Sequence, residues 1–190
     1  MSNYRLPFPK VADPFGSHSA QRKSMGLGPH RGVDYNGFKA GTPLPAVGDG
    51  VITLNKWTDV LGWVIELKVG KHYFLYCHMN KQSPLKVGTK VKSGDSVGGA
   101  GTSGSASSGV HLHFTLSTTS GGGITGKVYD AHAFLVKKIA EEKAAAKKKV
   151  AVAPKATPAA PVAAPAAAAA VCKHCKQPLP KTSKGVANAK

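Results

Sequence analysis

Five polar residues stand at spacings that would let them share one site. His30-Arg31-Gly32-Val33-Asp34 sets an imidazole and a carboxylate four residues apart, and His111-Leu112-His113 sets two imidazoles two apart. On extended chain an even offset puts both side chains of a pair on one face. His78 continues the alternation Phe74, Tyr76, His78 on a third run. An antiparallel sheet would bring the three segments together. Two neutral imidazoles and one carboxylate suit zinc in a site with an open fourth position, the arrangement of a catalytic centre. Such a set uses three of the five residues and leaves two histidines over. Each piece alone is weak: a lone histidine is usually structural, and an H-x-H or an H-x-x-x-D arises by chance in a chain with 8 His. A Gly/Ser loop over 98–109, directly before H-x-H, makes the combination much harder to dismiss. His18, His72 and His132 read as ordinary exposed residues.

The elements that must position these residues are short and β-rich. Residues 51–54, 63–67 and 73–76 read as strands separated by Gly48, Gly50, Gly62 and Gly70. Further runs at 87–91, 96–97 and 112–116 alternate with Gly88, Gly94, Gly98 and Gly99. Regular spacing of this kind predicts a mainly β, antiparallel fold, not βαβ units. Residues 1–45 read as extended chain and loop, because Pro7, Pro9, Pro14, Pro29, Pro43 and Pro45 discourage long helices. A second Gly/Ser loop spans 117–123. Residues 133–149, rich in Ala, Lys and Glu without Gly or Pro, predict a helix. Its first turns, with Phe134, Leu135 and Ile139, would pack on the domain.

Charge and aromatic content divide the chain. Of its 190 residues, 26 are Lys or Arg and 9 Asp or Glu, a net charge of +17. Residues 1–137 hold 15 basic and 7 acidic side chains, net +8; the remaining 53 hold 11 and 2, net +9. No Phe, Tyr or Trp follows Phe134. A stretch without aromatics cannot bury enough apolar surface to offset its ordering entropy. The expected organisation is therefore a cored domain over 1–137, a Lys/Ala-rich helix over 138–149, an Ala/Pro-rich linker over 150–171 and a basic segment over 172–190. That last segment carries a single C-x-x-C, Cys172-Lys173-His174-Cys175, half of a zinc-ribbon signature and incomplete as an intramolecular site. No run of 18 apolar residues predicts a membrane span, and the first residues lack the apolar centre of a secretory signal.

With these residues in place, the sequence resembles the lysostaphin-like (LytM-type) zinc metallopeptidases of bacterial cell walls. The resemblance rests on His30-Arg31-Gly32-Val33-Asp34-Tyr35, Gly41-Thr42-Pro43-Leu44-Pro45-Ala46 with Gly48-Asp49-Gly50-Val51, and Tyr76-Cys77-His78-Met79. Val87-Gly88-Thr89-Lys90-Val91-Lys92-Ser93-Gly94-Asp95 and Ser107-Ser108-Gly109-Val110-His111-Leu112-His113-Phe114 complete the series in family order. It covers roughly residues 7–136. It departs from the family at Val110, where proline is common, at Cys77, where alanine is common, and after Phe15-Gly16, where an arginine is common and Ser17-His18 stand here.

The resemblance implies the antiparallel LytM peptidase fold, of the duplicated hybrid motif type, with a short C-terminal helix and a disordered basic tail. It implies zinc ligands His30, Asp34 and His113, with His111 as general base toward the catalytic water. His78 would hold that water or stabilise the oxyanion. Zinc at such a site makes water more acidic and polarises the scissile carbonyl, and an imidazole with pKa near 6.5 can accept and return a proton at neutral pH. The implied reaction is hydrolysis of peptide bonds in peptidoglycan. Members cut glycine bridges or direct cross-links between D-alanine and a diamino acid; the Ala/Pro/Lys-rich tail hints at a high-GC background and direct cross-links. Trp57, Trp63, Tyr35 and Tyr76 are candidates to line the groove, though tryptophans more often serve packing. Cys77 reads as a small side chain packed beside His78.

The basic tail offers a rival class, a nucleic-acid or anionic-polymer binder on the same scaffold. Lysines without interleaved aromatics give attraction blind to sequence and no stacking platform, so no specific nucleic acid is expected. The same field would concentrate an enzyme at anionic wall polymers or a membrane surface. A wall hydrolase without a leader needs another route to the wall. A phage endolysin, made in the host cytoplasm and admitted through a membrane pore, is the expected setting; a virion-associated lysin or a bacterial autolysin are the alternatives. A monomer is the default.

Overall fold

A computed structural model describes residues 3–24, 26 and 28–152. In chain order the elements are α1 (Ala20–Ser24), β1 (Val33–Tyr35), β2 (Pro43–Pro45), β3 (Gly50–Thr58), β4 (Gly62–Val69), β5 (His72–Met79), β6 (Lys90–Val91), β7 (Ser96–Gly99), β8 (Leu112–Ser117), α2 (Gly122–Thr125) and α3 (Ala131–Val152). Six strands form one antiparallel sheet in the order β1-β8-β5-β4-β3-β6, and β2 pairs with β7 in a two-stranded ladder. The mainly β, antiparallel expectation holds. The strand read at 87–91 shortens to Lys90–Val91 because residues 86–89 turn, with the Thr89 N–H donating to Lys86 O. The stretch 1–45, read as extended chain and loop, also holds α1 and the short strands β1 and β2.

Side-chain alternation gives the large sheet two different faces. Val33, Tyr35, Ile65, Leu67, Phe74, Tyr76, Leu112, Phe114 and Leu116 all turn into one apolar core, which Leu44, Val97, Ala131 and Leu135 close from the other side. Phe74 and Phe114 stack there at 5.7 Å. Each such side chain, fully buried, contributes about 1.5–3 kcal/mol. The Tyr76 hydroxyl donates to Pro45 O and accepts the Val47 N–H, both at 3.0 Å, pinning the loop after β2 to the sheet. Tyr35 and Tyr76 are thus core residues with satisfied hydroxyls, not groove lining, and Tyr35 OH lies 3.0 Å from Nδ1 of a half-buried His132.

The opposite face is smaller and more polar. Val64, Leu75 and Cys77 form a separate cluster with Leu54, Leu61 and Ile124. Cys77 is fully buried, and burial raises its thiol pKa well above the usual value. Glu66, also fully buried, accepts from Thr53 Oγ1 at 2.7 Å, Ser120 Oγ at 2.8 Å and Gly121 N at 2.7 Å. These bonds moor the loop before α2 to the middle of the sheet.

The helix expected over 133–149 begins at Ala131 and ends at Val152. Asp130 Oδ1 accepts the Ala133 N–H at 2.9 Å and starts it as an N-cap. Ala131 and Leu135 are buried, and Phe134 meets Tyr4 edge-on at 5.8 Å. His72, read as exposed, is half-buried with its ring 4.4 Å from that of Phe134. The linker beyond Val152 and the segment with Cys172 and Cys175 lie outside the described residues. Among those described, no helix is long and apolar enough to cross a membrane.

Candidate metal centre and active site

Pairing of β1 with β8 sets Asp34 directly opposite His113. Directly opposed residues of an antiparallel pair point to the same side, so the carboxylate and the imidazole meet on the polar face. His30 reaches them differently. It lies in the bend before β1, held by two backbone bonds of 2.8 Å, His30 N–H to Ser17 O and Gly16 N–H to His30 O. The N-terminal segment around Phe15-Gly16 therefore frames the site by clamping this histidine.

Three donor atoms converge. His30 Nε2 is 3.0 Å from His113 Nδ1 and 3.2 Å from Asp34 Oδ1, and His113 Nδ1 is 2.9 Å from the same oxygen. Tetrahedral zinc with bonds near 2.0 Å would separate its ligands by about 3.3 Å, so the triangle needs to open only slightly. His30 Nδ1 lies 3.2 Å from both Pro14 O and Asp13 Oδ2. Both are acceptors, so Nδ1 carries the proton and Nε2 presents its lone pair inward. An imidazole that ligates with one nitrogen and donates the other N–H to a carboxylate is the usual support of a metal site. Burial raises the Asp34 pKa, but the hydrogen bonds of His113 and His30 outweigh it and hold the carboxyl far below the usual range. Burial also depresses His113, against the pull of Asp34. Two imidazole nitrogens and one carboxylate oxygen thus face one another, and an N₂O set of this kind fits zinc.

Gly32 makes the close approach feasible. A Cβ there would lie 2.6 Å from His113 Cε1, 2.8 Å from its Nε2 and 2.9 Å from Phe114 O.

His78 arrives by a route that alternation does not give. Continuing Phe74 and Tyr76 would turn it into the apolar core. Instead Trp63 pairs with Met79 and Ile65 with Tyr76, so β5 carries one residue more than β4 across this step. His78 takes up the excess with φ 57°, in the left-handed region. Such a bulge re-aims a side chain, and the ring stands 4.8 Å from that of His111 and 5.9 Å from that of His113. Its Nδ1 donates to Ser103 O at 2.7 Å, and burial lowers its pKa to about 4. His111 Nδ1 likewise donates to Gly109 O at 2.8 Å. In both rings the carbonyl fixes the tautomer, leaving Nε2 as an acceptor. All five residues singled out from the sequence thus share one site.

The site lies in an open groove. On one side a polar recess of about 450 Å³ is lined by Asp13, Asn36, Ser108 and Gly109. On the other, a largely apolar one of about 730 Å³ runs past Pro29, Val60, Leu61 and Ile124. Trp57, 46% exposed, stacks edge-on against Trp63 at 5.4 Å, and neither lines these recesses. Sequence reading did not single out Asp13, the carbonyls of Ser103 and Gly109, or the arginines of the groove. Asp13 sits only one residue before Pro14 in a stretch without periodicity, so nothing local marks it.

The sheet and this cluster define a metallopeptidase-type centre, with three convergent side chains that could hold a metal ion, two imidazoles with Nε2 left as an acceptor and an open cleft. The chain belongs to peptidase family M23, whose model matches residues 28–127. It is 35% identical over 122 residues to the glycyl-glycine endopeptidase ALE-1 of Staphylococcus capitis, covering 55% of this chain and 33% of that protein. With the peptidoglycan DD-endopeptidase ShyC of Vibrio cholerae it shares 30% identity over 110 residues, 57% of this chain and 25% of the other. The chain thus spans only about a quarter to a third of these relatives. The catalytic domain of lysostaphin from Staphylococcus simulans superposes with a TM-score of 0.54 at 29% identity, covering 70% of this chain and 92% of that domain.

Proposed function

We propose that this chain is a zinc-dependent endopeptidase that hydrolyses peptide bonds in the stem peptides or cross-bridges of bacterial peptidoglycan. The observation that carries the reading is the His30–Asp34–His113 triangle, with edges of 2.9 to 3.2 Å, beside two tautomer-fixed histidines. Relatives named as peptidoglycan or glycyl-glycine endopeptidases support the substrate class. Zinc, when bound by these three residues, supplies Lewis acidity toward the scissile carbonyl and eases deprotonation of water.

The remaining steps fall to the chain's own residues. His111 Nε2 takes the proton of the attacking water and returns it to the leaving amine. His78, neutral and with Nδ1 given to Ser103, offers only an acceptor at Nε2. That geometry supports a role in holding the water over one in donating to the oxyanion. Asp13 keeps His30 in its ligating orientation.

The test is mass spectrometry of fragments released from two purified walls, one glycine-bridged and one directly cross-linked. Zinc-loaded protein should release cut peptides from at least one, and chelated protein or His113→Ala none. Identical fragments from His113→Ala, or none from either wall, would leave a polymer-binding scaffold as the better reading.

We also propose the endolysin setting, in which the enzyme is made in the host cytoplasm and reaches the wall through a membrane pore. Support comes from composition: the last 53 residues carry net +9, a charge suited to anionic wall polymers. Cytoplasmic expression should lyse cells only when a pore-forming protein is co-expressed. Lysis independent of the pore would overturn it.

A further inference from the structure

Two arginines of the groove have no part in this hydrolytic scheme. Arg22, on α1, lines both recesses, and Arg31, beside His30, lines the apolar one. Each is steadied by a neutral carbonyl: Arg22 Nε donates to Gly28 O at 3.2 Å, and Arg31 Nη2 donates to Gly126 O. Neither forms an ion pair among the described residues. A guanidinium has five N–H donors in a planar fork, so each is oriented with most of its donors and all of its charge unspent.

The carboxylates of the groove pair with neither arginine among the described residues. Asp34 belongs to the metal centre, and Asp13 accepts from Ser17 Oγ at 2.5 Å and faces His30. Asp59, on the β3–β4 turn, accepts the Trp57 Nε1–H at 3.1 Å. A recess with apolar walls at Val60, Leu61, Ile124 and Pro29, into which the metal-site residues Asp34 and His113 also face, thus holds two oriented guanidinium groups outside any ion pair among the described residues. A few placed polar groups in an apolar cleft set ligand orientation, and the ligand that a guanidinium fork matches is a carboxylate.

Resting on the endopeptidase reading, we propose that Arg22 and Arg31 form a carboxylate-binding subsite. The preferred substrate is then a direct cross-link in which a dicarboxylic diamino acid keeps a free carboxylate near the scissile bond. A glycine bridge has no side-chain carboxylate, and its backbone carboxyls are all consumed in amide bonds. Relatives named as a glycyl-glycine endopeptidase and as a peptidoglycan DD-endopeptidase both match this chain, so its own groove residues decide its preference.

The test uses the full chain and two synthetic cross-linked peptides that differ only in that carboxylate, free in one and a primary amide in the other. The acid form should be cut at least about tenfold more efficiently in kcat/KM, the gain expected of a charge-assisted hydrogen bond. Arg22→Gln and Arg31→Gln should each bring the acid-to-amide ratio toward one, and Arg31→Lys should retain part of it. Circular dichroism identifies any variant that has lost its fold. Calorimetry with the uncleavable single-stem fragment, acid and amide, reads the subsite independently of catalysis. Tighter binding of the acid form, weakened by Arg22→Gln, supports the subsite even if no bond is cut, an outcome that would sink only the hydrolase reading. Equal binding of both forms, or arginine variants that slow both substrates by one factor, would overturn the subsite.

Discussion

The two faces of the six-stranded sheet are built from alternate residues of the same strands, yet they do opposite things. On β8, Leu112, Phe114 and Leu116 enter the main core, while His113 and Thr115 turn to the other side. The core face gains stability from apolar area, which is insensitive to the placement of any one atom by a few tenths of an ångström. On the polar face three donor atoms stand 2.9 to 3.2 Å from one another, an arrangement that shifts of a few tenths of an ångström would alter. Stability and chemistry are therefore separable at neighbouring positions of one strand.

That separation can be broken most sharply with adjacent substitutions. His113→Ala should lower wall cleavage by at least about a thousandfold while thermal and denaturant midpoints of the metal-free protein stay close to wild type. Phe114→Ala should cost about 3–5 kcal/mol of unfolding free energy by denaturant titration. If the first unfolds the chain, or the second spares it, the two faces are not independent.

Gly32→Ala sharpens the comparison from the backbone. The new methyl meets both the His113 ring and Phe114 O, so zinc affinity and activity should fall together by about a hundredfold, with destabilisation of about 1–3 kcal/mol. Asp13→Ala should weaken zinc binding by about tenfold to a hundredfold in a competition titration, with little change in stability. An unchanged zinc affinity would show that His30 needs no partner at Nδ1. The smallest effect is of opposite sign. Thr115 Oγ1 is buried without a hydrogen-bond partner, so Thr115→Val should stabilise by about 1 kcal/mol.

Spacing marks four of the site residues, but the even-offset argument does not account for His30, which joins Asp34 from the bend before β1 and not along a strand. What spacing could not give is register: that Asp34 lies opposite His113 depends on a pairing between positions 79 apart. His78 was found as a site residue on an alternation that would have pointed it the wrong way, since nothing local announces a bulge at a non-glycine residue with positive φ. Tyr35 and Tyr76 sit in phase with Val33 and Phe74, and that phase was the readable sign that they are core. Asp13 and Arg22 stayed hidden because their segment takes its shape from distant partners, chiefly the backbone of His30 and Asp34. The helix start is marked by Asp130, a capping residue three positions before the expected first turn.

The pairing of β1 with β8 also sets a clock. It closes one of the longest loops in the sheet, and closing a long loop is entropically late and slow relative to local hairpins such as β3–β4–β5. Because Asp34 and His113 meet only through that closure, the metal centre cannot be complete on a chain still being synthesised until His113 has left the ribosome. Nascent fragments too short to have released His113 thus lack one of the three donors, and the site is assembled only late in synthesis.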